Sequence, residues 1–290
     1  MRSEQEMFAL ILSTARDDDR IRAVILNGSR TNPNAHRDCF QDFDIVYFVT
    51  DVTSFTADPT WIDRFGERMI LQMPDDMQDP PPDQDNGAFT YLMQFMDGNR
   101  IDLNLFPLAR LAELEADSLT LLLLDKDGCF APFAPPSDRG YLPVPPTAKA
   151  FADCCNEFWW VSPYVAKGLW RAELTYARTM LDSAVRAQLM KMLTWYVGVK
   201  TAFACSPGKA GKYLQRYLEP ELWDLLQATY ADAGYEHTWS ALFAMGDLFR
   251  GVANPIAAAL GFDYPRQDDE RVSAHLRHVH RLPQDVQEMY

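Results

Sequence analysis

The spacing of apolar residues predicts three ordered elements in the first 50 residues. Residues 3–18 carry apolar side chains at helical intervals and begin with a Ser3–Glu6 capping box, which predicts an amphipathic helix. Residues 21–26 form a short β-branched run, and residues 43–49 are almost continuously apolar. We expect both runs to be strands, the second of them buried on both faces at the centre of a sheet.

The pattern of residues 60–125 extends this mixed architecture. We predict one helix over residues 60–71 and another near residues 107–117. Between them, residues 88–96 and 100–106 flank an Asp-Gly-Asn turn, which is typical of a β-hairpin. A further apolar run at residues 119–125 continues the mixed pattern.

A proline-rich passage at residues 131–147 precedes a second half in which the spacing of apolar residues changes. Beyond it, long stretches show helical spacing and few strand signals. We therefore predict an α+β chain with two domains. An N-terminal mixed-sheet domain covers residues 1–140, and an α-helical bundle covers residues 141–290.

Charge and composition narrow the classes of function. The 27 Lys and Arg against 41 Asp and Glu give a net charge of −14, which disfavours a nucleic-acid partner and suits a cationic ligand. The 5 cysteines include no C-x-x-C pair, so neither a disulfide framework nor a structural zinc site is expected. We see no signal peptide and no membrane-spanning run, and we expect a cytoplasmic protein without a membrane partner.

Three carboxylates are the main candidates for chemistry. Asp42 and Asp44 lie two residues apart at the entrance of the central strand, so both side chains project from one face. Asp102 shares a strand face with Asn104. If the two strands are adjacent, the three acids converge, and Mg²⁺ is the hard cation that their charge implies. Taken singly, each acid also fits an ordinary turn or a solvated strand edge.

The strand at residues 21–26 leads into a turn formed by Gly28 and Ser29. Backbone N–H groups and the Ser29 hydroxyl in such a turn can hold phosphate oxygens. Because the turn lies just upstream of Asp42 and Asp44, phosphate, metal and carboxylates fit one site.

The order of these features resembles the nucleotidyltransferase superfamily that includes DNA polymerase beta. A strand is followed by Gly28 and Ser29, then by the acid pair Asp42 and Asp44, and then by Asp102 on a later strand. Longer stretches, such as DDRIRAVILNGSRTNPN, FQDFDIVYFVTD, DGNRIDLNLFP and CCNEFWWVSPYVAKGL, are similar to the aminoglycoside 6-adenylyltransferases that modify streptomycin. That similarity runs from the first helix to about residue 265.

The resemblance implies a role for each of these residues. Asp42 and Asp44 would hold Mg²⁺ against the triphosphate of ATP, and Ser29 with the turn backbone would hold the outer phosphates. A substrate hydroxyl would attack the α-phosphorus, and Asp102 would take its proton, ligate a second metal, or do both. One departure is Asn27, which stands where the superfamily usually has a hydrophobic residue.

Cationic side chains are needed to hold phosphates in a chain this acidic. Arg30 follows the turn directly, while Lys209 and Lys212 lie in a glycine-flanked loop of the helical half, from which they would close over the nucleotide. Lys167 is a further candidate of the same kind. A solubilising loop explains Lys209 and Lys212 equally well.

The acceptor implied by the resemblance is polycationic, so carboxylates and aromatic faces are its natural partners. Glu157 and Trp160 have the spacing of one helix face, with Trp159 beside them. Core packing is the simpler explanation for either tryptophan alone. A group of loop acids would attract cations at long range. These acids are Asp75, Asp76, Asp79, Asp83 and Asp85.

The residues and the resemblance together predict an enzyme that transfers AMP from ATP to the 6-hydroxyl of streptomycin. Two alternatives stay open at this point. One is a nucleotidyltransferase that acts on another hydroxyl acceptor, and the other is a nucleotide-binding regulatory protein without catalysis. The preference for ATP over GTP and the oligomeric state are also open.

Overall fold

A computed structural model describes residues 1–79, 87–114 and 117–290. These residues form two compact units, Met1–Gly140 and Tyr141–Tyr290. The first unit is built on a six-stranded sheet and the second is helical, so the predicted α+β class is confirmed. Within the three described ranges, no helix is long and apolar enough to cross a membrane.

The first unit begins as its sequence predicts. The Ser3 hydroxyl accepts the Glu6 N–H while the Glu6 carboxylate accepts the Ser3 N–H, and helix α1 follows directly. The α-helices described in this unit are α1 (Glu4–Asp17) and α2 (Thr53–Thr56). The strands are β1 (Ile21–Asn27), β2 (Phe43–Val49), β3 (Arg68–Gln72), β4 (Phe89–Phe95), β5 (Arg100–Pro107) and β6 (Leu121–Asp125).

The strand order of the sheet is β3-β4-β5-β2-β1-β6. β2 and β5 are parallel, and the other neighbouring strands are antiparallel. The hairpin of β4 and β5 and the central position of β2 are therefore confirmed. Helix α1 packs on the sheet, where the buried Tyr47 hydroxyl of β2 donates to the Ile11 carbonyl at 2.6 Å.

The predicted helix over residues 60–71 is wrong. Trp61–Phe65 form a short 3₁₀ segment whose aromatic rings pack edge-on in the core. Gly66, with φ of +118°, then turns the chain into edge strand β3. Met69 and Ile70 of that strand are exposed. The apolar residues of the 3₁₀ segment and of β3 together have the spacing of a helix, although the two segments do not form one.

The predicted helix near residues 107–117 is also wrong. Leu108–Glu113 form a short 3₁₀ segment, and Arg110 departs from helical dihedral angles within it. The apolar side chains of Leu111 and Leu114 pack below the second face of the sheet, which satisfies them without a regular helix. Residues 115 and 116 lie outside the described residues.

The second unit is helical throughout its regular structure, as its spacing predicts. Its core joins α3 to α7, and the rings of Phe158 and Phe249 stack with centroids 3.8 Å apart. A π-helical segment, Met180–Val185, leads into α5. The helices described are α3 (Ala148–Trp170), α4 (Leu174–Thr179), α5 (Arg186–Lys200), α6 (Pro220–Ala228), α7 (Tyr235–Leu260) and α8 (Arg266–Arg281).

Candidate active site

Strand pairing brings the predicted carboxylates together. β2 and β5 run in parallel with Asp44 directly opposite Asp102, so the condition under which the acids converge is met. The flanking residues Phe43 and Ile45 are buried in the core, which leaves the acids on the other face. Asp42 immediately precedes β2, two residues from Asp44, and therefore shares its side.

The glycine turn packs directly against this group. β1 pairs with β2, and Asn27 at its end lies opposite Asp44. Gly28 follows with φ of +74°, and a Cβ at this position would stand 2.2 Å from Asp44 Oδ2. Both the dihedral angle and the close approach require glycine, so the turn backbone reaches the carboxylate. The Ser29 hydroxyl lies 3.4 Å from Gln41 Nε2, which donates toward it.

Asn27 has a structural function that explains its polarity. Its side-chain oxygen accepts a hydrogen bond of 2.7 Å from the hydroxyl of Thr120, which is 3% exposed and lies just before β6. The Thr31 hydroxyl adds a second tie, since it donates to the Leu119 carbonyl at 2.7 Å. The turn is therefore bound to the β6 side of the sheet through polar groups.

The acids of this group are electrostatically strained. Burial, and then the charges of Asp102 and Asp42, raise the pKa of Asp44 to about 6. Burial likewise raises the pKa of Asp42, and the Asp102 charge adds to the effect while Arg100 opposes it. The site is therefore short of positive charge.

Arg100 is a residue of this site that the sequence reasoning missed. Its Nε donates to Asp102 Oδ1 at 2.7 Å and its Nη2 donates to Asp102 Oδ2 at 2.8 Å. Its Nε also lies 3.8 Å from Asp42 Oδ2. The period-two argument that placed Asp102 beside Asn104 also applies to Arg100, two residues earlier, and was the signal available.

The donor set suits a hard divalent cation. Carboxylate oxygens are the ligands that Mg²⁺ prefers, and a cation would relieve the repulsion that raises the pKa of Asp44. In the part of the chain that the structure describes, no three acidic, histidine or cysteine side chains are arranged as a ready ligand set. Arg100 holds Asp102 in a two-pronged ion pair, so both oxygens of that carboxylate are engaged by a guanidinium.

Arg30, a predicted phosphate ligand, is engaged in a structural contact. Its Nε donates to the Asp42 carbonyl at 2.9 Å and its Nη2 donates to the Gln41 carbonyl at 2.7 Å. Its guanidinium also stacks 3.7 Å above the Phe43 ring, and its Nη1 lies 3.4 Å from Glu4 Oε1. With a side chain only 8% exposed, Arg30 ties the turn to the start of β2.

The predicted lysines lie in the helical unit. Lys209 and Lys212 are exposed around a 3₁₀ turn, and the Lys212 ammonium is 5.1 Å from the Tyr213 ring centroid. Lys167 is exposed on α3, where its ammonium is 5.0 Å from the Tyr164 ring centroid. All three are available to solvent.

The aromatic acceptor candidates border a cavity of about 740 Å³ in the helical unit. Trp160 is 63% exposed, whereas Trp159 is 2% exposed and donates to the Tyr264 hydroxyl at 3.2 Å. Glu157 is exposed on the same helix, outside the residues that line this cavity. The carboxylates that do line it are Asp153, Asp263 and Asp268.

The sequence reasoning missed all three of those acids, although Asp153 lies on α3 itself. Asp263 and Asp268 come from the α7–α8 connection and the start of α8, more than 100 residues from Trp160, and carry no local signal. Of the predicted loop acids, Asp75 accepts the Thr90 N–H at 2.6 Å and so has a structural contact. Asp83 and Asp85 lie outside the described residues.

A mixed sheet that presents a glycine-serine turn, a D-x-D pair and a third acid on the neighbouring strand defines a nucleotidyltransferase. The family model described as streptomycin adenylyltransferase matches residues 1–279. The chain belongs to this family and is an enzyme of the nucleotidyltransferase class.

Curated relatives are similar over nearly the whole chain. An aminoglycoside 6-adenylyltransferase of Bacillus subtilis (strain 168) is 44% identical over 271 residues, 93% of this chain and 95% of that protein. One from Campylobacter jejuni is 44% identical over 93% of each chain. One from Staphylococcus aureus is 36% identical over 92% of this chain and 95% of its own length. The crystal structure of an aminoglycoside 6-adenyltransferase from Bacillus subtilis is 38% identical, covering 97% of this chain and 100% of that one, with a TM-score of 0.48.

Proposed function

We propose that this enzyme transfers AMP from ATP to a hydroxyl of an aminoglycoside, the 6-hydroxyl of streptomycin, and releases pyrophosphate. The observation that carries the proposal is the pairing of Asp44 with Asp102, with Asp42 beside them and Gly28 packed on Asp44. Adenylylation of the drug inactivates it, so the enzyme confers resistance in the cytoplasm.

The carboxylates and the glycine-serine turn have separate proposed roles in the transfer. Asp42 and Asp44 would hold Mg²⁺, with Asp102 as a further ligand, and the bound ion would neutralise charge that develops on the phosphates. The backbone of Gly28 and Ser29 positions phosphate oxygens next to these acids. Hydrogen bonds from Thr31 and Gln41 tie the turn to the segments just before β6 and β2, so the phosphates enter a preorganised site.

Asp102 is the residue proposed to handle the proton. The acceptor hydroxyl oxygen bonds to the α-phosphorus, its proton passes to an Asp102 carboxylate oxygen, and the bond from the α-phosphorus to the bridging oxygen breaks. Pyrophosphate leaves with that electron pair. Lys209, Lys212 and Lys167 are proposed to neutralise the phosphates, because all three ammonium groups are exposed.

Acceptor recognition is assigned to the helical unit, residues 141–290. Trp160 offers an exposed aromatic face to a guanidinium group at the cavity on α3, with the buried Trp159 behind it in the cavity wall, and Glu157 adds charge on the same helix. Asp263 and Asp268 supply carboxylates at the cavity wall, which suits charge-assisted hydrogen bonds to a polycation.

The test is pyrophosphate release from Mg-ATP with a panel of aminoglycosides, followed by mass spectrometry of each drug. We expect streptomycin to gain one AMP group. If ATP binds and no drug is modified, the acceptor assignment fails and a different hydroxyl substrate or a regulatory role takes its place. GTP in place of ATP tests the identity of the donor in the same assay.

A further inference from the structure

Arg100 has no role in the transfer described above, although it lies among the three carboxylates. Its two hydrogen bonds to Asp102 use both carboxylate oxygens, and its charge also faces Asp42 across 3.8 Å. Because an arginine stays protonated at every physiological pH, its guanidinium is a permanent positive charge at this position.

This arrangement is that of an internal counter-ion. Three acids near one another repel, and a guanidinium among them supplies the positive charge that they lack. The Arg100 side chain is 39% exposed, so it can leave Asp102 without passing through the core. By contrast, Arg30 is 8% exposed and its donors are committed to backbone carbonyls and Glu4.

We propose that Arg100 is the counter-ion of the nucleotide-free site, and that it releases Asp102 and pairs with phosphate when the nucleotide and its cation bind. The proposal rests on the proposed function for the identity of the nucleotide. A divalent cation that binds beside Asp42 and Asp102 would repel the guanidinium and displace it from Asp102. The freed guanidinium is planar and can donate two parallel hydrogen bonds to a phosphate. Arg100 thus holds Asp102 in the nucleotide-free site and contacts the phosphate once the nucleotide binds.

The proposal predicts opposite effects on metal and nucleotide in Arg100→Met. Binding of Mn²⁺ alone to the nucleotide-free protein, followed by electron paramagnetic resonance of the free ion, should become about tenfold tighter because a competing charge is gone. Binding of Mg-ATP, followed by calorimetry, should become about tenfold weaker because a phosphate partner is lost. A merely structural residue would not move the two affinities in opposite directions.

A matched control is Arg22→Met, because Arg22 also forms a two-pronged ion pair, with Asp127, at the far end of β1. Both affinities should stay within twofold of wild type in that variant. If Arg100→Met does not fold, Arg100→Gln, which is neutral and keeps hydrogen-bonding capacity, carries the same test.

Two results would overturn the proposal. Unchanged or weaker Mn²⁺ binding in the Arg100 variant removes the counter-ion role, and unchanged Mg-ATP binding removes the transfer of Arg100 to phosphate. Both measurements are made without an acceptor. They therefore stand apart from the aminoglycoside assay, whose failure would affect the proposed function alone.

Discussion

At the scale of single residues, the site depends on how closely Gly28 approaches Asp44. The glycine occupies a left-handed conformation with φ of +74°, and the space its side chain would take is filled by Asp44 Oδ2. The sequence identifies this glycine as a turn residue. Glycine is also needed because Asp44 leaves no room for a Cβ. That close approach depends on the register between β1 and β2, which cannot be read from the sequence.

We expect Gly28→Ala to lower the rate of transfer by at least about 100-fold, because a shift of about 1 Å in a catalytic group has that effect. The new Cβ must displace the Asp44 carboxylate, and the left-handed alanine adds a cost of about 1–2 kcal/mol to folding. Steady-state kinetics and urea unfolding measure the two effects separately.

Gly128→Ala is the matched control for that variant. Gly128 has φ of +66° and no heavy atom within 4 Å of its added Cβ, so only the backbone strain is reproduced. It should lose about 1–2 kcal/mol of stability, no more than Gly28→Ala loses, while its activity is retained. Equal activity in the two variants would show that the contact with Asp44 is unimportant.

The raised pKa of Asp44 predicts a specific pH dependence of stability in metal-free protein. In the folded state its pKa is about 6, against 3.8 for an aspartate carboxyl in water, so the folded state binds more protons between these two pH values. The contribution of Asp44 to stability is therefore present in full below pH 4 and is lost as pH rises through about 6.

Replacing Asp44 with Asn should consequently stabilise the metal-free protein more at pH 7 than at pH 4. Urea unfolding at several pH values, with chelator present, measures this difference between wild type and variant. A difference that is independent of pH would show that Asp44 is not strained in the folded state.

At the scale of elements, the sequence predicts the strands of the site better than the segments around them. β1 and β2 are predicted from short apolar runs, and the hairpin of β4 and β5 from its turn and the apolar residues that flank it. Convergence of the acids required β2 and β5 to be adjacent, and their pairing meets that condition. The error at residues 60–71 arose where aromatic anchors precede an exposed edge strand, because local spacing does not record which side chains reach the core.

Arg30 gives a test at the same scale, because it connects the turn to β2. Arg30→Met removes buried, charged hydrogen bonds to the carbonyls of Gln41 and Asp42, and should lower the free energy of unfolding by about 2–4 kcal/mol. Arg37→Met is the control, since Arg37 also faces Glu4 but is 65% exposed, and it should change stability by less than about 0.5 kcal/mol. If Arg30→Met keeps full stability and weakens ATP binding instead, Arg30 is the phosphate ligand that the sequence suggests.

At the scale of the whole molecule, the sequence separates a sheet-containing half from a helical half. The sequence also identifies Trp160 and Glu157, which are both exposed on α3, as candidates for binding the acceptor. It does not find Asp263 and Asp268, because these acids meet α3 only after α8 folds back against it. The cavity residues that are distant from α3 in sequence can therefore be identified only from the structure.

We expect Trp160→Ala to raise the KM for the aminoglycoside about tenfold, the size of a lost cation–π contact, with the KM for ATP unchanged. Because Trp160 is 63% exposed, the thermal midpoint should hardly move. Glu157→Gln should act in the same direction, and Glu221→Gln, another exposed acid of the helical unit, is the charge control. An unchanged acceptor KM in both α3 variants would place the acceptor elsewhere.

The most direct test of the account is AMP transfer to streptomycin by wild type and by Asp102→Asn, compared by mass spectrometry of the drug alongside calorimetry of Mg-ATP. The account predicts that wild type adds one AMP group. Asp102→Asn should add none while still binding the nucleotide, because the group that accepts the hydroxyl proton is gone. Transfer at the wild-type rate by Asp102→Asn, or no AMP on any aminoglycoside with wild type, would contradict it.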